Sequence, residues 1–310
     1  MVKWSAERTA KSYAGPRGDK LEDFLTIPIP ERKFLLEPLI PEPSITMMYS
    51  VAGLGKSMLA LSIAHTIATG GEFGGFKAPE AQEVVYFDSE MDLPDIGPRL
   101  MELGRLKSTE GKLRVYTPDR MEEFIPDLAT YEGREFIERR IGDAKLIVLD
   151  NLSTLFRANR ENEASDWALT SFWLQELKHN GHSILLLHHA GKNGLQRGTS
   201  KREDVANTII SLKRIPGAKE DDECRFVMRF DKSRAKIGKK RKAVGLWYKP
   251  TPEGVAHWER EEGDFDPRKA EAERRSKEGE SVRKIAANMG LSKSTVQRWL
   301  SEMSGEKDEW

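Results

Sequence analysis

Between about Arg32 and Glu261 the chain alternates short runs that are apolar almost end to end with longer runs of helical spacing. The apolar runs include SITMMYS (44–50), VVYFDSE (84–90), KLIVLDN (145–151) and SILLLHHAG (183–191). A strand with one wet face alternates polar and apolar residues. A strand apolar at nearly every position is covered on both faces. The pattern therefore predicts an α/β fold, a mostly parallel sheet with helices on both faces. Helices are expected over Ser57–Thr69, ended by Gly70-Gly71, and over Asp92–Leu103, Glu132–Ile141 and Asp166–Lys178. In the last, Trp167, Leu169, Phe172, Trp173 and Leu177 read as one core stripe. LRVYTP reads as a short strand, and ANTIISLKRI, CRFVMRF and GLWYKPT as antiparallel strands that finish the sheet.

The first apolar strand runs into YSVAGLGKSM, a loop followed by a helix. Ser50, Val51, Ala52, Gly53, Leu54, Gly55, Lys56, Ser57 and Met58 match G-x-x-x-x-G-K-[ST], except that Ser50 replaces the first glycine. Gly55 lets the backbone approach phosphate oxygens, and the first helix amides point at the anion. Lys56 is placed for the β- and γ-phosphates, and the Ser57 hydroxyl for Mg²⁺. ATP and Mg²⁺ are the expected cofactors. The competing reading is a chance Gly-Lys-Ser at a strand–helix turn, which the flanking strand and helix patterns oppose.

The 310 residues suffice for one large α/β unit and a small one. We read residues 1–31 as an extension, 32–262 as the ATPase unit and 263–310 as a linker with a second unit. Charged residues are 32% of the chain and balance to zero, so any argument for nucleic acid rests on local patches. The single Cys224 leaves no internal disulfide and fits a reducing cytoplasm. The start, MVKWSAERTAKSYAG, lacks a signal-peptide core, and no apolar run approaches the ~20 residues of a membrane span.

KLIVLDN ends an apolar strand in Asp150, placed to hold the Mg²⁺ shell; its bland reading is a helix cap. The next residue, Asn151, is not acidic, so the Asp-Glu pair of many AAA+ ATPases is missing. Another acid must then activate water. Glu90 is the first candidate, at the end of the strand after the P-loop helix, and Asp88 the second. In a doubly wound sheet the carboxyl ends of the strands meet at one crevice.

The segments YSVAGLGKSMLALSIA, VVYFDSEMDLPDIGPRL, KLIVLDNLSTLF and ILLLHHAGKNGLQRGTS resemble the RecA-fold ATPases of the plasmid RepA hexameric-helicase type, over roughly residues 33–250. The resemblance implies that Glu90 is the catalytic glutamate. It places His188-His189 at the γ-phosphate sensor, where we prefer His189. Lys232 and Arg234, in RFDKSRAKIG, resemble the K-x-R pair with which DnaB-like rings complete the neighbouring subunit's site. The arginine expected shortly after RGTS is absent: Asn207 stands there, and Arg197 is the runner-up. A homo-oligomer, specifically a hexameric ring, is implied.

The resemblance also puts the loops after Asp150 and His189 on a central channel. Arg157, Arg160, Lys192 and Arg197 become candidate contacts to single-stranded DNA. KIGKKRK (236–242), with Lys239, Lys240 and Arg241, is the densest positive run and suits phosphate contact. A charge run is equally a solvated loop.

Residues 281–303 resemble the helix-turn-helix of resolvases and regulators. Ala286, Gly290 and Val296 occupy its small, turn and packing positions, and Ile285, Leu291, Trp299 and Leu300 its apolar face. Ser292 caps the second helix, presenting Lys293, Ser294, Thr295, Gln297 and Arg298 outward. Such a helix suits duplex DNA. Three functions fit: a DNA helicase or translocase of plasmid or phage replication, a recombination or repair accessory ATPase, or a nucleotide-switched DNA-binding regulator.

Overall fold

The computed structural model describes residues 20–28, 30–121, 124–157, 166–190, 201–215, 224–238, 242–261 and 267–304. Before the sheet lie a short helix, α1 (Leu21–Phe24), and a two-stranded ribbon, β1 (Phe34–Leu36) with β2 (Ile40–Pro41). The central strands are β3 (Ile45–Ser50), β6 (Val84–Asp88), β7 (Leu113–Tyr116), β8 (Leu146–Asp150), β9 (Ser183–His189) and β10 (Thr208–Arg214). After them come β11 (Arg225–Ser233), β12 (Val244–Tyr248) and β13 (Trp258–Glu261). A small hairpin, β4 (Glu72–Phe73) and β5 (Phe76–Lys77), lies outside the sheet.

The nine-stranded order is β13-β12-β11-β10-β3-β9-β8-β6-β7. From β10 to β7 every pairing is parallel; β11, β12 and β13 are antiparallel. The expected mostly parallel sheet is therefore present. One expectation needs correction: ANTIISLKRI forms β10, which runs parallel to β3, and only the strands after it reverse.

The strands alternate their side chains between two cores, as pleating requires. Met48, Val84, Tyr86, Leu146, Val148, Leu185 and Leu187 pack with the helices α2 (Lys56–Thr69) and α3 (Leu93–Leu106). Ile45, Met47, Val85, Phe87, Ile147, Leu149, Ile184 and Leu186 pack on the other face with α4 (Tyr131–Ile141), the one-turn α5 (Leu152–Leu155) and α6 (Asp166–His179). Helix α2 is buried nearly all round, which accounts for its continuous apolar run. Trp258 of β13 rests on it, donating from Nε1 to Ser62 Oγ at 2.9 Å.

The stripe read along α6 is only partly core. Trp167, Trp173 and Leu177 are buried, but Leu169 and Phe172 are exposed, at 64% and 62%. Positions two and five residues beyond Trp167 turn to the outer face of a 3.6-residue helix. Of the extension, Leu21, Leu25 and Ile27 are exposed.

Beyond a five-residue helix, α7 (Lys201–Val205), and the sheet, three helices close the chain: α8 (Pro267–Lys277), α9 (Val282–Met289) and α10 (Lys293–Ser304). Ala272, Ile285, Ala286, Val296 and Trp299 form their core. Gly290 ends α9 at φ 62°, a conformation that favours glycine. Ser292 Oγ accepts from Thr295 N at 3.1 Å, so it does cap the recognition-type helix. Helix α8 is polar all round and contributes Ala272; its Arg268 lies over the Trp299 ring at 5.6 Å.

Candidate functional site

The loop after β3 turns through left-handed Gly53 and Gly55, at φ 72° and 92°. Gly55 is the N-cap of α2 and offers no side chain to the helix amides, which leaves that helix end open to an anion. Ser50 is buried and donates to Val51 O at 2.8 Å, so it braces the loop. Leu54 and Met58 are buried, hence only their backbone amides are available to a ligand. Cys224, just before β11, lies under the loop: its thiol meets Gly55 O at 3.7 Å.

Lys56 is 6% exposed, and burial holds its pKa below the usual lysine value. Asp150, Glu90 and Asp88 oppose that shift by Coulomb attraction. The Ser57 hydroxyl hydrogen-bonds Asp150. Asp150 also accepts from Tyr86 Oη at 2.7 Å, and burial raises its pKa. A buried ammonium, a hydroxyl and a carboxylate beside open helix amides match the donor set for a triphosphate and Mg²⁺.

The two candidate acids have different surroundings. Asp88 is fully buried, and its Oδ1 accepts from the amides of Glu90 and Met91, both at 2.8 Å. Burial and then Asp150 push its pKa up to about 7. Glu90 lies half exposed at the mouth. There Asn151 Nδ2 donates to Glu90 Oε2, and His189 Nε2 stands 3.5 Å from the same oxygen. His188, in contrast, is fully buried. The sheet thus brings together Lys56, Ser57, Asp150, Glu90 and His189, as their positions at the carboxyl ends of β3, β6, β8 and β9 require.

Residues 13–195, more than half of the chain, match the AAA domain family. The chain belongs to that family. Residues 266–308 of this AAA protein match the homeodomain-like domain, the segment that contains α8, α9 and α10. Among solved structures, a KaiC-like protein of the hyperthermophilic archaeon Pyrococcus horikoshii is similar at 18% identity and a TM-score of 0.49. That match covers 72% of this chain and 93% of the other. The AAA protein is thus a P-loop ATPase carrying a C-terminal helix-turn-helix.

Its remaining predicted residues fall elsewhere. Lys232 and Arg234 lie at the amino end of the sheet: Ser233 pairs with Thr208, which pairs with Thr46. Thr46 precedes Ser50 by four residues, ~13 Å of strand. Lys232 donates to Glu203 O at 2.6 Å and Arg234 to Asp204 O at 3.1 Å. Asn207, standing where an arginine was expected, accepts from Ile45 N at 3.0 Å through Oδ1 and fastens β10 to β3. Arg157 is at the carboxyl edge but partly engaged, donating to Ile125 O at 2.6 Å and covering Phe124 at 4.6 Å. Lys293, Gln297 and Arg298 are exposed on α10. Arg160, Lys192, Arg197, Lys239, Lys240 and Arg241 lie outside the described residues.

Sequence reasoning passed over two contributors, Cys224 and the side chain of Asn151. Neither belongs to a nucleotide-site pattern: a neutral amide and a lone thiol announce no phosphate or metal chemistry, and their contacts come from other elements. No helix of the described residues is long and apolar enough to cross a membrane.

Proposed function

We propose that this P-loop ATPase is a DNA helicase or translocase of the RepA-like hexameric type, in plasmid or phage replication, acting in the cytoplasm. The observation that carries the reading is the meeting of Lys56, Ser57, Asp150, Glu90 and His189 at one sheet edge, while Lys232 and Arg234 lie toward the other. In this reading residues 50–58 cradle the phosphates of ATP, and Ser57 and Asp150 hold Mg²⁺. Bound there, the ion screens phosphate charge. Lys56 meets the β- and γ-phosphates, Glu90 orients and deprotonates water, and His189 senses the γ-phosphate. Lys232 and Arg234 act on a neighbouring copy's nucleotide. The basic loops, with Arg157, Arg160, Lys192, Arg197, Lys239, Lys240 and Arg241, follow the backbone of single-stranded DNA. Lys293, Gln297 and Arg298 enter a duplex major groove.

The deciding experiment measures ATP turnover with and without single-stranded DNA, alongside displacement of an annealed strand. Stimulated turnover with displacement is expected, and Glu90→Gln should bind ATP yet lose most turnover. Stimulation without displacement points instead to a recombination or repair accessory. The exposed recognition-type face of α10 favours a further reading, a nucleotide-switched regulator. Sequence-specific duplex binding with no DNA-stimulated turnover would select it.

A further inference from the structure

Asn151 is 1% exposed, and all its amide atoms are engaged. Its Oδ1 accepts from Ser153 N at 3.0 Å and Thr154 N at 3.4 Å, capping α5. Backbone N–H groups only donate, so these two bonds fix which end of the amide is oxygen. The other end is then NH₂ and must donate. Its two partners are Glu90 Oε2 and His189 Nε2, the latter at 3.1 Å. One buried amide, held rigidly by a helix start, thus grips both the half-exposed carboxylate and the imidazole.

We propose that Asn151 is a positioning residue for hydrolysis: it fixes Glu90 and His189 against each other, so that the base and the γ-phosphate sensor move as a unit. The inference rests on Glu90 being the base and goes beyond that assignment. A half-exposed glutamate has several rotamers, and Asn151 selects one of them from a rigid point of the fold. An acid at position 151 would lose both donors and bring a second carboxylate against Glu90. A neutral amide at this position is the chemistry the geometry requires.

The test uses the full chain and Asn151→Ser. Serine retains an N-cap oxygen for α5 but is too short to reach Glu90 or His189. We expect an unchanged thermal midpoint, an unchanged Kd for a non-hydrolysable ATP analogue, and a kcat lower by about 10²-fold. Asn151→Ser should add little to the loss already caused by Glu90→Gln, because it acts through that carboxylate. Wild-type kcat in Asn151→Ser, or losses that multiply in the double variant, would overturn the proposal. Should the variant prove unstable, Asn151→Thr, which also keeps an N-cap oxygen, repeats the comparison with the donors removed. If Glu90→Gln itself turns over normally, the base assignment has failed. A loss in Glu90→Gln with none in either Asn151 variant removes the positioning role alone.

Discussion

Gly55 carries two separate constraints. Its φ of 92° belongs to the region that side chains avoid, and a Cβ there would lie 2.0 Å from the Cys224 sulfur and 3.0 Å from Cys224 Cα. Gly55→Ala should therefore lower the thermal midpoint and weaken nucleotide binding, with backbone strain alone costing about 1–3 kcal/mol. Adding Cys224→Ala removes the sulfur clash but not the dihedral strain, so thermal melts of the double variant should show only partial recovery. Full recovery would mean that the contact, not the backbone, is what demands glycine. At this scale the sequence was legible where chemistry is local. The P-loop, Asp150 and Glu90 sit in runs whose neighbours announce them. Asn151 was noticed only for lacking a charge, because its role depends on two side chains from other strands.

Helix α2 ties the P-loop to the rest of its layer, and His65 is one of its fastenings. The ring is buried, and Nε2 donates to Lys107 O, just beyond α3, at 2.7 Å. Burial lowers its pKa below the ordinary value of 6.5. In the folded chain the ring thus resists a proton that the unfolded chain accepts. Stability should be intact above the unfolded pKa and fall as pH drops below it, by at most about 1.4 kcal/mol per pH unit for one group. In urea unfolding from about pH 8 to about pH 5, His65→Gln, whose amide can still donate to the carbonyl, should show a shallower decline than wild type. Parallel curves would exclude His65 as a source. Element boundaries and types were largely readable from periodicity. Direction was not: an apolar strand looks the same whether its neighbour is parallel, so β10 was misassigned. Leu169 and Phe172 misled for a related reason, since apolar residues on two faces of α6 merge into one apparent stripe.

For the whole molecule, the large unit was readable because repeated double-faced strands leave few ways to fold. The C-terminal unit announced itself from α9 onward; the charged segment before it, 262–279, read as a linker able to hold one helix, and α8 stands there. Its first helix, α8, is studded with ion pairs such as Arg274–Glu271 and Lys277–Glu273, and among its described residues Ala272 enters the core. Nothing apolar in its pattern distinguishes it from a linker.

If Lys232 and Arg234 act on a neighbouring copy's nucleotide, as proposed above, catalysis would depend on the amount of protein. A site whose last charge is supplied by another copy obeys mass action: its turnover per chain is a binding isotherm, not a constant. Turnover per chain should climb with protein concentration, reach a plateau when assembly is complete, and collapse reversibly on dilution. Arg234→Ala and Lys56→Ala proteins, each inactive alone, should regain part of the rate when mixed, because some contacts then join an intact P-loop to an intact arginine. A rate per chain that stays level through measured dissociation would confine each active centre to one chain.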